Sequence, residues 1–190
     1  MSNPFYITTP IYYVNDIPHI GHAYTTILAD VLSRYQKQVG NIPFFLTGLD
    51  EHGQKVQDAA KKRGIDTQDH CDQMSKRFIS LWGRLHISND DFIRTTEIRH
   101  KNVVRAILKT VFDAGDIYED EYQGLYSVSE ERFITEKEAD TGQFRDIKIL
   151  KEKNYFFRMS KYQDRLINHI ETNPSFIQPD HRKNEILGFL

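Results

Sequence analysis

Apolar and polar residues alternate from Phe5 to Thr9, with Phe5, Ile7 and Thr9 on one side and Tyr6 and Thr8 on the other, and Pro10 closes the run. A period of two is the mark of a short half-buried strand. The period then lengthens. Ala23, Ile27, Val31, Tyr35 and Val39 recur at helical spacing and Gly40 follows, which predicts an amphipathic helix with a glycine stop. Ile42-Pro43-Phe44-Phe45-Leu46 is almost continuously apolar, the pattern of a strand buried on both faces. Val56, Ala59 and Ala60 fall on one side of a second helix spanning Gln54 to Lys62, closed by Gly64. Strand, helix, strand, helix in that order predicts a right-handed parallel crossover, and therefore an α/β fold.

Further along, Cys71, Met74, Phe78, Leu81, Trp82 and Leu85 form another helical apolar stripe. A short strand is expected around Phe92-Ile93-Arg94, then a long helix with Ile98, Val104, Ile107, Leu108, Val111 and Phe112 on its buried side and Gly115 at its end. After Gly115 the texture changes. Ile117-Tyr118, Leu125 to Val128 and Arg132-Phe133-Ile134 predict short strands, with turns at Gln123-Gly124 and Glu130-Glu131. The charged tract Glu130 to Glu138 reads as a solvated loop. Ser160 to Ile170 reads as a helix with Tyr162, Leu166, Ile167 and Ile170 inward. The expected division is residues 1–115, a β-rich insertion at 116–158, and a helical return at 159–190.

The candidate chemistry sits at the ends of the first two strands. Pro18-His19-Ile20-Gly21-His22 lies where the first strand gives way to the first helix. A helix start has backbone N–H groups without intrahelical acceptors and a positive dipole end, both favourable to an anion. Gly21 lets a ligand approach the backbone, and His19 and His22 add two imidazole donors for phosphate oxygens. Two bland readings compete: a pair of surface histidines, or half of a metal site, the latter weakened by the lack of a nearby cysteine. The second segment is Thr47-Gly48-Leu49-Asp50-Glu51-His52-Gly53. In open α/β sheets ligands bind beyond the carboxyl ends of the strands, so both segments are expected to face one crevice. Asp50 there can hold an ammonium and His52 can reach a phosphate or ribose. Alternatively, Asp50 caps the following helix and Glu51 faces solvent.

Thr8-Thr9-Pro10-Ile11-Tyr12-Tyr13-Val14-Asn15-Asp16-Ile17-Pro18-His19-Ile20-Gly21-His22-Ala23-Tyr24 resembles the N-terminal signature of class I aminoacyl-tRNA synthetases. The Ile11-Tyr12-Tyr13 approach and Thr47 to Gly53 are similar to the methionyl-tRNA synthetases within that class. Asn154 to Tyr162 and Pro179 to Glu185 extend the resemblance along the chain. It implies the first half of a Rossmann-like catalytic domain that activates methionine with ATP, accompanied by Mg2+, and passes it to tRNA(Met). On matched positions it implies catalytic roles for His19 and His22 on the triphosphate, with Gly21 close to the adenine and His52 also on the ATP side. Asp50 would take the methionine ammonium with the Ile11 carbonyl, and Tyr13 would lie against the substrate side chain. Tyr12 receives no role.

The same resemblance identifies the β-rich insertion with the family's connective peptide, where many members carry a zinc knuckle built on Cys-x-x-Cys pairs. Ser127 and Glu130 stand at the matching positions here, so no structural zinc is expected. The family's lysine signature, Lys-Met-Ser-Lys-Ser, is not matched by Met159-Ser160-Lys161, which Arg158 precedes and Tyr162 follows. The chain therefore reads as a fragment lacking that loop and the anticodon domain, and weak or inactive alone. The alternative is a nucleotide- or amino-acid-binding module of a truncated or regulatory relative. A synthetase for another aliphatic amino acid is disfavoured by the lack of a large editing insertion after Gly115.

Bulk properties adjust this picture little. With 190 residues and a formal charge of −2 there is enough chain for a core and no global pull toward nucleic acid. No signal peptide or membrane span is visible, and a cytoplasmic protein without a membrane partner is expected. Cys71 is the only cysteine, which excludes an intrachain disulfide. Arg145, Lys148, Lys151 and Lys153 precede Tyr155, Phe156 and Phe157, a pattern that can meet single-stranded RNA but more often marks solvated lysines beside core aromatics.

Overall fold

The computed structural model describes residues 2–130, 132–144 and 146–190. The chain divides into two compact units, Met1–Ala106 and Ile107–Leu190. Among the described residues no helix is long and apolar enough to cross a membrane.

The first unit is built on a parallel sheet. β1 (Pro4–Tyr13), β2 (Ile42–Asp50) and β3 (Asp91–Arg94) lie in that order, each pair parallel. α1 (Ile20–Gln38) connects the first two strands; α2 (Gln54–Lys62) and α3 (Thr67–Arg84) connect the second pair. The expected strand–helix order and α/β class are observed. β1, however, does not stop at Pro10. It runs on to Tyr13 through a register shift between Thr8 and Ile11. Proline has no N–H to give a ladder, so an irregularity is where a strand can carry one. The Thr9 and Thr47 hydroxyls, 2.7 Å apart, bridge the two strands there.

α1 has the expected period but the opposite phase. Its buried residues are Thr26, Ala29, Asp30 and Ser33, while Ile27, Val31, Tyr35 and Val39 are exposed. The small and polar side is inward because its polar groups find partners. The Tyr12 and Thr26 hydroxyls lie 2.8 Å apart. Asp30 accepts from the Ser88 N–H at 2.7 Å, the Ser88 hydroxyl at 2.6 Å and Arg34 Nε at 2.7 Å. Burial alone would raise the Asp30 carboxyl, but Ser88 and Arg34 together hold it below the ordinary carboxylate range. The sign follows: a depressed native pKa supplies stability above the unfolded value, lost as pH falls through the native one. Asp30→Asn should therefore lower the urea midpoint at pH 7, with the gap to wild type closing below about pH 4.

β2 is likewise half-open at its start, with Ile42 and Phe44 exposed and Phe45 fully buried, so it is not sandwiched along its whole length as expected. The core of this unit is Tyr12, Val14, Leu49, Val56, Cys71, Met74, Phe78 and Trp82, with Leu81 and Leu85 against it, and the stripe read on α3 is that core. α4 (Ile98–Asp113) is helical as expected, but none of its residues is buried, and Ile98, Ile107, Leu108 and Phe112 stay open.

In the second unit, β4 (Ile117–Ser127) is central in an antiparallel sheet of order β5-β4-β6, with β5 (Arg132–Ile134) and β6 (Ile147–Phe157) on either side. Gln123-Gly124 is not a turn. β4 passes straight through it, and glycine is needed because a Cβ there would sit 2.8 Å from the Tyr122 ring and 3.2 Å from Phe133. The tract read as a loop instead holds β5 and α5 (Glu136–Asp140), whose start is closed by Thr135 and Glu138 capping each other. Glu131 and Arg145, parts of the expected turn and basic stretch, lie outside the described residues. Lys151 and Lys153 pair with Glu121 and Glu119. α6 (Gln163–Thr172) buries Ile170 and leaves Leu166 exposed, and α7 (Asp180–Phe189) follows.

Candidate active site

The turn between β1 and α1 is anchored before the histidines begin. Val14 is fully buried, and its carbonyl lies 2.7 Å from His70 Nε2 on α3. Arg63 donates to the other ring nitrogen of His70 at 2.9 Å, which leaves Nε2–H to donate to Val14. Five residues later His19 caps α1. Its Nδ1 accepts the Gly21 N–H at 3.1 Å, and His22 Nδ1 accepts the His19 N–H at 3.2 Å. The two rings stack with centroids 3.7 Å apart. The helix thus opens at Ile20, and one of the N–H groups expected to await an anion, that of Gly21, is taken by His19.

This cap determines what the imidazoles can do. With both Nδ1 lone pairs used inside the protein, a neutral ring carries its proton on Nε2. Burial, then the proximity of His19, pushes the His22 pKa below its ordinary value, so the ring is neutral near pH 7. It leans on Tyr12 and Phe78, with centroids 4.8 and 5.3 Å away. Gly21 serves this arrangement directly, since a Cβ there would lie 3.0 Å from the His19 ring.

At the strand ends, alternation puts Ile11 and Tyr13 on the open side while Tyr12 between them is buried. Tyr13 stands opposite Asp50 in the β1–β2 register, so Ile11, Tyr13 and Asp50 are brought together. Asp50 does not cap α2; Gly53 occupies that position, without a side-chain cap. Asp50 Oδ1 instead lies 3.4 Å from the His52 N–H. Nor does Glu51 face solvent. Its carboxylate is fully buried, held by Arg94 Nε at 2.7 Å and by the Thr96 hydroxyl. Burial and the Glu51 charge push the Cys71 thiol up to about 11, so Cys71 remains a thiol at neutral pH.

Arg94, Thr95 and Thr96 belong to no motif legible in the chain, yet they hold this strand end. The signal was there: a charged residue closing a short strand and two hydroxyls directly after it, at the same sheet end as Asp50. Together they grip the segment that carries Asp50 and His52. His52 itself is exposed, on a groove of about 320 Å³ that Glu51, Gln57, Thr96 and Lys101 also line.

The family model for class I tRNA synthetases (M) matches residues 5–144, well over half of the chain. The chain belongs to this family. It is 50% identical to the methionine–tRNA ligase of Fusobacterium nucleatum over 197 aligned residues, covering 100% of this chain and 31% of that protein. Against the methionine–tRNA ligase of Rickettsia bellii it is 50% identical, covering 100% of this chain and 38% of that one. The Mycobacterium tuberculosis methionyl-tRNA synthetase in complex with methionyl-adenylate superposes with a TM-score of 0.90 at 40% identity, over 98% of this chain and 38% of that one. The chain thus spans about a third of the length of the synthetases it matches, and its parallel sheet is that of their catalytic domain.

Proposed function

We propose that this chain is the N-terminal part of the catalytic region of a methionine–tRNA ligase, which joins methionine to ATP as methionyl-adenylate and passes the methionyl group to tRNA(Met). The observation that carries the reading is the 50% identity to methionine–tRNA ligases along the entire chain. In the first step a methionine carboxylate oxygen attacks the α-phosphorus and pyrophosphate leaves. This needs positioned donors more than covalent chemistry. His19 and His22 supply them from Nε2–H, aimed at the phosphates of Mg2+-bound ATP, with Gly21 beside the adenine and His52 on the ATP side. Asp50 and the Ile11 carbonyl hold the methionine ammonium, and Tyr13 packs on the thioether chain.

Methionine-dependent ATP–pyrophosphate exchange tests this on the full-length protein and on residues 1–190, with leucine and isoleucine as controls. Exchange with methionine by the long form, and weak or no exchange by residues 1–190, is the expected result. A long form that binds ATP yet exchanges with no amino acid would favour a binding module instead. Asp50→Ala should raise the KM for methionine while that for ATP changes little; equal losses would make Asp50 a structural residue.

Residues 116–158 are proposed as the connective peptide, metal-free at the knuckle position. The Ser127 hydroxyl accepts the Glu130 N–H at 3.3 Å and contacts Ser129 at 3.1 Å, so a hydroxyl closes the turn. Among the described residues there is no group of three His, Cys, Asp or Glu that could hold a metal ion, and thiolates are what a structural zinc of this kind requires. Purified protein should contain far less than one zinc per chain by elemental analysis. Stoichiometric zinc that survives dialysis against a chelator would contradict this.

A further inference from the structure

We propose that Thr95 is a positioning residue that fixes which ring nitrogen of His52 carries the proton, so that His52 presents Nε2–H to the nucleotide. The proposal deepens the reading of His52 given above and rests on it for its functional consequence.

Thr95 follows β3 directly and is itself buried, 6% exposed. Its N–H donates to the Leu49 carbonyl at 3.2 Å, which continues the parallel ladder one step past Arg94. Its hydroxyl oxygen lies 2.9 Å from the Glu51 N–H and 2.9 Å from His52 Nδ1. A hydroxyl has one proton to give and two lone pairs to accept with. The Glu51 N–H can only donate, so there the oxygen accepts. Among the described residues the hydroxyl proton then has one partner, His52 Nδ1. The opposite arrangement, with Nδ1–H donating to threonine, leaves a buried hydroxyl proton without an acceptor among the described residues, an unfavourable state. The first arrangement leaves the ring proton of neutral His52 on Nε2, the nitrogen away from Thr95.

The same logic governs His19 and His22, whose Nδ1 atoms accept backbone N–H groups. Three imidazoles on two neighbouring strand ends are thus each occupied at Nδ1 from within the protein. Each has Nε2–H left to offer, the common requirement for contacting phosphate or ribose oxygens. The backbone bond to Glu51 and the ring bond to His52 meet on one oxygen, so the aim of His52 is tied to the strand end that also carries Asp50.

The test is the tautomer of His52 in 15N-labelled protein near pH 8, read from the two ring-nitrogen shifts, for wild type, Thr95→Ser and Thr95→Val. The expected result is the Nε2–H form in wild type and Thr95→Ser, and a mixture of forms in Thr95→Val. An Nδ1–H form in wild type would overturn the proposal, even if Thr95→Val failed to fold. So would a His52 spectrum unchanged in a folded Thr95→Val. In the full-length protein, Thr95→Val should raise the KM for ATP about five- to tenfold, leave that for methionine unchanged, and be restored by serine. If the tautomer shifts as stated but neither Thr95→Val nor His52→Ala alters the KM for ATP, positioning by Thr95 stands and the nucleotide role of His52 falls.

Discussion

His22→Ala should slow methionine-dependent pyrophosphate exchange by the full-length protein by about 10²- to 10³-fold, the usual consequence of removing one donor to developing charge. The loss should fall on kcat, with the KM for methionine little changed, because in the proposed mechanism the imidazole addresses phosphate and not the amino acid. The substitution also removes the acceptor for the His19 N–H and a ring packed on Tyr12 and Phe78. A cap of this kind is worth about 0.5–2 kcal/mol of stability. The two effects are separable, because His22→Ala protein that melts slightly lower but still binds methionine has lost catalysis and not the fold. Unchanged turnover would remove His22 from the chemistry.

Gly48→Ala should be the most damaging small substitution in the first unit, lowering stability by about 3 kcal/mol. Gly48 lies in β2 against β3, and a Cβ there would overlap the Ile93 carbonyl oxygen and sit 2.6 Å from Ile93 Cγ2. The obstacle is backbone, which cannot rotate aside as a side-chain tip can. β2 and β3 would have to separate, and that also pulls Arg94, Thr95 and Thr96 away from Glu51 and His52. Gly83→Ala is the control. Gly83 lies within α3 with nothing within 4 Å of its added Cβ, so alanine there should stabilise by up to about 1 kcal/mol. Urea denaturation of residues 1–190 measures both. A Gly48→Ala midpoint equal to wild type would mean that the strands have slack the structure denies them.

Much of this was legible in the chain. The Pro18 to His22 segment and Asp50 stand out because a glycine, paired imidazoles and an acid at strand ends have few reasons to occur together. The stripe from Cys71 to Leu85 was read correctly, since a buried helix between two strands must be apolar on its core side. The phase of α1 was not legible. Hydrophobicity points to Ile27 and Val31, but the sheet takes Thr26, Ala29 and Asp30, whose partners Tyr12 and Ser88 are distant in sequence. The same blindness to long-range partners hid Glu51, which looks like a solvent-facing acid until Arg94 and Thr96 are placed beside it. Gly124 misled for another reason. A glycine after a polar residue reads as a turn, whereas here it makes room for the Tyr122 and Phe133 rings.

The most direct measurement is a crystal structure of the full-length protein with a non-hydrolysable methionyl-adenylate analogue. An imidazole Nε2 of His19 or His22 should lie within about 3.2 Å of an oxygen in the phosphate position, and the Asp50 carboxylate within about the same distance of the methionine ammonium. An analogue seated away from the ends of β1 and β2, with both imidazoles and Asp50 in solvent, would contradict the account.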